Sequence, residues 1–158
     1  MADIWGGGHL FNIYYTGHKA LLVSLYELLS EKHIVAVSGP GGMGKSELCL
    51  EGMDAYKEHY QAIIWLDASS EETMNQELTL MRKVAPSLSQ KLIENEKTLL
   101  ILDNIRDLSL VPPWQGHLLL TTRFAQSRFP MLVMPPLSLE SVRDSMSKTA
   151  QGLEKAIH

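Results

Sequence analysis

Cysteine is almost missing from this chain. Cys49 is the one cysteine in 158 residues, which excludes an internal disulfide and a metal cluster built on thiolates. It falls among apolar neighbours in a helical stretch and is expected to be a small core residue. Aromatic residues are sparse as well. Trp5, Trp65 and Trp114 stand far apart, form no stacking platform in the sequence, and are expected in the core or on a partner surface. No apolar run approaches the ~20 residues of a membrane-spanning helix, so no membrane partner is expected. The start, Met1 to Phe11, has neither the basic nor the apolar region of a signal peptide, and a cytoplasmic location is expected. Positive charge has no excess either. A formal net charge of -4 gives no general attraction to nucleic acid, and no nucleic-acid partner is expected. His9, His18, His33, His59, His117 and His158 show no metal-ligand spacing, so solvated or capping roles are expected for each.

What is present describes an ordinary globular chain. A hydrophobic content of 45% with 20% charged residues is enough to build a core in one domain of this length. Residues 1–13, with Gly6-Gly7-Gly8 and no period, read as a flexible lead-in to a single domain over 14–158. Leu21, Leu22, Leu25, Leu28 and Leu29 recur at helical spacing between Lys19 and Lys32. Short β-rich runs follow at 33–38, 62–67, 98–103, 118–122 and 131–134, with helical stretches between them. One runs from Ser46 to Tyr60. Another opens on Ser69 with Glu72 three residues on, a capping-box pattern, and reaches about Val84. Pro86 breaks that helix, and a second short one is expected over 88–95. A polar helix from about Leu139 to Ile157, carrying Glu140, Arg143, Asp144, Lys148, Glu154 and Lys155, reads as a solvated face. Continuously apolar strands alternating with helices require a parallel sheet covered on both sides, so the fold class is α/β, a three-layer sandwich.

The segment Gly39-Pro40-Gly41-Gly42-Met43-Gly44-Lys45-Ser46 satisfies the pattern G-x-x-x-x-G-K-[ST], the Walker A form, at every fixed position. Glycines let the backbone curl until consecutive N–H groups face phosphate oxygens. The helix that starts near Gly44 adds the positive end of its dipole. Lys45 brings a point charge to the outer phosphates, and the Ser46 hydroxyl suits a Mg²⁺ ion. A strand before the loop and a helix after it are the context this motif needs. The expected ligand is ATP or ADP with Mg²⁺. Met43 reads as a loop filler, not as a cofactor ligand.

Two further strand ends belong with the loop. Leu99-Leu100-Ile101-Leu102-Asp103 is four apolar residues ending in an acid, the Walker B form. A carboxylate at the carboxyl end of a buried strand faces the crevice where open α/β sheets bind ligands. Ser46 and Asp103 are therefore the candidate metal residues. Asn104 follows, and an amide can orient a water but cannot take its proton at neutral pH, so slow or absent hydrolysis is expected. Glu94, Glu96 and Asp107 are not placed by sequence to substitute. Thr121-Thr122-Arg123 ends the next strand, where a planar multi-donor cation suits sensing of a terminal phosphate. Asp103 and Arg123 are the candidate catalytic residues.

Together these residues resemble the nucleotide-binding domain of the STAND class of P-loop ATPases, specifically the NB-ARC family of immune and apoptotic switches. Tyr15-Thr16-Gly17-His18-Lys19 is similar to the family's opening motif, with His18 and Lys19 in place of its Arg-Glu pair. Gly41 to Ser46 resembles its phosphate loop, Leu99 to Asn104 its Walker B strand, and Thr121-Thr122-Arg123 its first sensor. Pro136-Leu137-Ser138-Leu139-Glu140 resembles the segment that leads into the following helix. The resemblance implies a five-stranded sheet of order 5-1-4-3-2. It also implies a nucleotide-binding set of Tyr15, Thr16, Gly39, Gly41, Gly42, Met43, Gly44, Lys45, Ser46 and Glu47, with Tyr15 and Thr16 near the adenine. The function it implies is a signalling switch that binds ADP or ATP and forms homo- or hetero-oligomers through this domain. The family continues into helical and winged-helix domains near where this sequence stops. Two other readings compete with the switch: a truncated module that pairs with related proteins, and a small-molecule kinase, for which no arginine-rich lid is visible.

Overall fold

The computed structural model describes residues 3–6, 19–39, 44–123 and 128–134. The expected helix over 139–157, the opening motif except for Lys19, and the segment 136–140 lie outside them. Six strands form one sheet: β1 Asp3–Trp5, β2 Ile34–Ser38, β3 Ala62–Asp67, β4 Thr98–Asp103, β5 His117–Thr122 and β6 Met131–Val133. Among the described residues four α-helices accompany them: α1 Lys19–Lys32, α2 Lys45–Tyr56, α3 Glu71–Val84 and α4 Pro86–Ile93.

Every strand pairing is parallel, and the order across the sheet is β1-β3-β4-β5-β2-β6. The five expected strands thus stand in the expected sequence, 5-1-4-3-2. The difference is a sixth strand at the edge beyond β3. Within the expected lead-in, Asp3, Ile4 and Trp5 belong to the sheet, pairing with Ala62, Ile63 and Ile64. Three residues are too few to show a period of two, so the pattern gives no warning. Gly6 ends the strand with φ 81°, and a Cβ there would collide with the Trp65 carbonyl oxygen. Only glycine lets the chain turn away so close to β3.

Alternation along each strand divides the core in two. On one face Leu25 and Leu29 of α1 and Leu48, Cys49 and Met53 of α2 pack on Val35, Val37, Ile63, Trp65, Leu99, Ile101 and Leu119. On the other face Met81 of α3 and Leu88 of α4 pack on Ala36, Ile64, Leu66, Leu100, Leu102, Leu118 and Leu120. The three-layer expectation holds, and Cys49 is a buried core thiol. Trp65 is buried, Trp5 and Trp114 pack against the second half of the core, and the Trp114 Nε1–H donates to the Thr98 carbonyl at 3.2 Å.

The ends of α3 and α4 differ by a residue or two from expectation. Ser70, not Ser69, caps α3: its Oγ accepts from the Thr73 amide at 3.1 Å. Ser69 instead donates its amide to Asp67 Oδ1 at 2.9 Å, closing an Asx turn that carries the chain off β3. Pro86 stands at the first position of α4, where its missing N–H costs nothing.

The amino ends of the strands gather side chains that the sequence keeps apart. Tyr26 of α1 stacks on Tyr56 of α2 at 4.2 Å between ring centroids. The rings of His33, Tyr26 and Tyr60 surround His117, which opens β5. Tyr60 Oη and His117 Nδ1 are 2.7 Å apart. His33 has φ 69° and donates its amide to the Leu29 carbonyl, so it caps α1 as expected. His117 departs from the expected solvated or capping role: it is half-buried and packed. Burial, and then the nearby His33 and His59, hold its pKa below the ordinary histidine value. Burial and the neighbouring Tyr26 keep the Tyr60 hydroxyl protonated, so this O–H can donate to a neutral His117 ring.

A histidine whose pKa is lower in the fold than in the unfolded chain adds stability that is complete above about pH 6.5 and lost as the pH falls below it. We expect unfolding free energy, followed by urea titration, to drop between pH 7 and pH 5. In His117→Gln that part of the profile should flatten. An identical slope in the variant would show that His117 is not the group being protonated.

Candidate functional site

The phosphate-loop residues leave the sheet at the carboxyl end of β2. Gly39 donates its amide to the Thr122 carbonyl at 3.3 Å, which ties the start of the loop to the end of β5. Gly44 closes it in the left-handed region, φ 79°, as the N-cap of α2. Any residue with a Cβ would be strained there. Gly44 brings no side-chain oxygen to the amides of the first turn, so the positive end of this helix is available to an anion. Lys45 folds back across the loop, and its Nζ donates to the Gly39 carbonyl at 2.7 Å.

One carboxylate joins this helix to the sheet. Ser46 Oγ donates to Asp103 Oδ1 at 2.9 Å, and Thr121 Oγ1 donates to the same oxygen at 2.7 Å. Thr121 Oγ1 in turn accepts the Asn104 amide at 2.7 Å. Thr121 is buried and Asp103 half-buried. The β5 hydroxyl, read from sequence as part of a phosphate sensor, therefore holds the β4 acid in place. Asn104 has φ 59°, a conformation that asparagine tolerates better than most residues. That conformation gives the amide at this position a backbone reason to be there.

Lys45 is held below the usual lysine value, first by burial and then by the like charge of Arg123, against the opposing pull of Asp103 and Glu47. Charges of both signs thus act on Lys45, and burial prevails among them. Arg123 itself is exposed just after β5. Cys49, one turn along α2, is pushed well above the usual thiol range by burial and by Asp103 and Glu47, so it stays an uncharged core residue. The paired oxygens of Ser46 and Asp103 are hard donors of the kind Mg²⁺ takes, and these residues would hold it. Among the described residues there is no group of three or more His, Cys, Asp or Glu side chains that could hold a metal ion.

Of the residues read from sequence, Gly39, Gly44, Lys45, Ser46, Glu47, Asp103 and Arg123 are brought to this end of the sheet. Tyr15, Thr16, Gly41, Gly42 and Met43 lie outside the described residues. Sequence reasoning passed over Asp67. It ends β3 in register with Asp103, and Ala62 to Asp67 is itself an apolar run closed by an acid. That shared form was the signal.

Thr121→Val keeps the shape of the side chain and removes both hydroxyl bonds, leaving the Asn104 amide without this acceptor. A loss of about 1–3 kcal/mol in chemical denaturation is expected. A change within error of zero would mean the hydroxyl relay does not hold the site together.

Comparison with known proteins adds one finding. No curated protein matches the chain. The family profile of the NB-ARC domain matches residues 18–112, more than half of the 158-residue sequence, and spans α1 to the end of β4 with Lys45, Ser46 and Asp103 inside it. A parallel sheet between helical layers, with a glycine-closed loop and lysine at the end of its second strand, agrees with that match, and the chain belongs to the NB-ARC domain family, a nucleotide-binding module of the P-loop NTPase type.

Proposed function

We propose that this domain binds ATP or ADP with Mg²⁺ and works as a slow nucleotide-dependent switch of the STAND class. The observation that carries the reading is the Ser46–Asp103 hydrogen bond beside Lys45. It joins the residue types that handle metal, phosphate and charge at the carboxyl end of a parallel sheet. In this reading the α2 N-terminus and Lys45 neutralise the outer phosphates. Arg123, near enough to Lys45 to perturb it, meets the terminal phosphate and so separates triphosphate from diphosphate. Gly39, Gly41, Gly42, Met43 and Gly44 form the cradle, Glu47 stands in the first turn behind it, and Tyr15 and Thr16 face the base. Mg²⁺ bound by Ser46 and Asp103 would offset the charge of the phosphate oxygens.

Hydrolysis is slow in this proposal because Asn104 follows Asp103 where an acid could take a proton from water. The switch then depends on which nucleotide is bound, and oligomerisation through this domain is its output. A cytoplasmic location fits that role.

Calorimetric titration with ADP and ATP, with and without Mg²⁺, tests the assignment. Lys45→Ala should weaken both nucleotides by at least about tenfold, the loss of one charge-assisted contact, with the melting temperature of the free protein unchanged. Equal affinity in variant and parent would show that the site is misplaced. Asp103→Ala should mainly remove the gain in affinity that Mg²⁺ gives. A full Mg²⁺ effect in that variant would take the metal away from Asp103.

A further inference from the structure

Asp67 is the acid at this end of the sheet to which the proposed switch assigns no task. In-register residues of neighbouring parallel strands project from the same face, and Asp67 pairs with Asp103. Ile63 and Trp65 of β3 lie in the same half of the core as Leu99 and Ile101 of β4. Alternation therefore sends the Asp67 and Asp103 side chains out on the face that α2 covers. Neighbouring strands are about 4.8 Å apart, so Asp67 stands one strand beyond the acid that Ser46 touches. It is half-exposed, and one of its oxygens is already fixed by the Ser69 amide at 2.9 Å. Its own amide donates to Glu77 of α3 at 3.4 Å. The Asx turn therefore holds the carboxylate in one rotation, with Oδ1 turned to the backbone.

We propose that Asp67 Oδ2 orients the water that attacks the terminal phosphate. This rests on the nucleotide reading above. A water accepted there would point a lone pair back toward the phosphate end of the Lys45–Ser46–Asp103 site. In the step, the water oxygen bonds to the terminal phosphorus and the bond from phosphorus to the bridging oxygen breaks. The nucleoside diphosphate leaves with that oxygen and its electron pair, and both protons of the water remain on the released phosphate. Asp67 accepts a hydrogen bond throughout and takes no proton, so it is a positioning residue. Asn104, in its left-handed conformation with its amide on Thr121, stays structural.

Asp67→Asn is the discriminating variant. Its amide oxygen can keep the Ser69 turn, while a donor replaces the oxygen that faces the water. Single-turnover release of phosphate from ATP and Mg²⁺ should fall about 100-fold, while ATP and ADP affinities by calorimetry and the melting temperature stay those of the parent. Asp67→Ser, which can also close the turn but lacks a second oxygen, should show the same split and guards against misfolding of the first variant. Release at the parental rate in either folded variant overturns the proposal. So does a parent chain that binds ATP and releases no phosphate, a result that leaves the nucleotide reading intact. A parent chain that binds neither nucleotide overturns both.

Discussion

Everything at the ligand end of this domain depends on one oxygen, Asp103 Oδ1, shared by the hydroxyls of Ser46 and Thr121. The bond from Ser46 fixes the first turn of α2 against β4, and the bond from Thr121 fixes β5 against the same strand. Because Gly39 is tied to the Thr122 carbonyl, the phosphate loop is held at both ends by groups that converge on β4 and β5. A half-buried carboxylate is tolerable only with donors around it, and these two donors are also the groups that order the site. The acid is thus a fastener between α2, β4 and β5.

That double role explains why the reading from sequence succeeded where it did. The loop pattern, the strand that ends in Asp103 and the Thr-Thr-Arg run each sit at fixed places in a strand–helix alternation, and the strand order was implied by the resemblance those motifs carry. Helical spacing singled out Leu25 and Leu29, continuous apolar runs held Ile63 and Ile101, and all four are buried. The hidden parts are those that depend on contacts between distant segments. Asp3–Trp5 is too short to carry a period. Ser69 and Ser70 compete for one cap, and an Asx turn at Asp67 decides between them. His117 looks solvated in sequence because Tyr26, Tyr60 and His33 come from other elements.

Membership of the NB-ARC domain family sets the frame, and the departures from that pattern carry the information special to this chain. Asn104 is the clearest. A left-handed backbone at that point suits an amide, and the local geometry is satisfied through Thr121. The backbone requirement and the chemical requirement therefore pull apart at a single residue, and conformation prevails. Of the strands beside β4, β3 is the one whose last residue is an acid in register with Asp103.

The packed histidine and the ligand residues occupy opposite ends of the same strand. His117 begins β5 and Thr122 ends it, a span of about 17 Å at the usual rise per residue. Coulomb coupling falls with distance, so charges this far apart are felt less than neighbouring ones. Titration at the tyrosine-lined end is therefore muted before it reaches the phosphates. Mild acid can loosen the scaffold while the charge felt by a bound nucleotide hardly changes, so the domain's tolerance of acidity and its grip on ligand are separately adjustable properties.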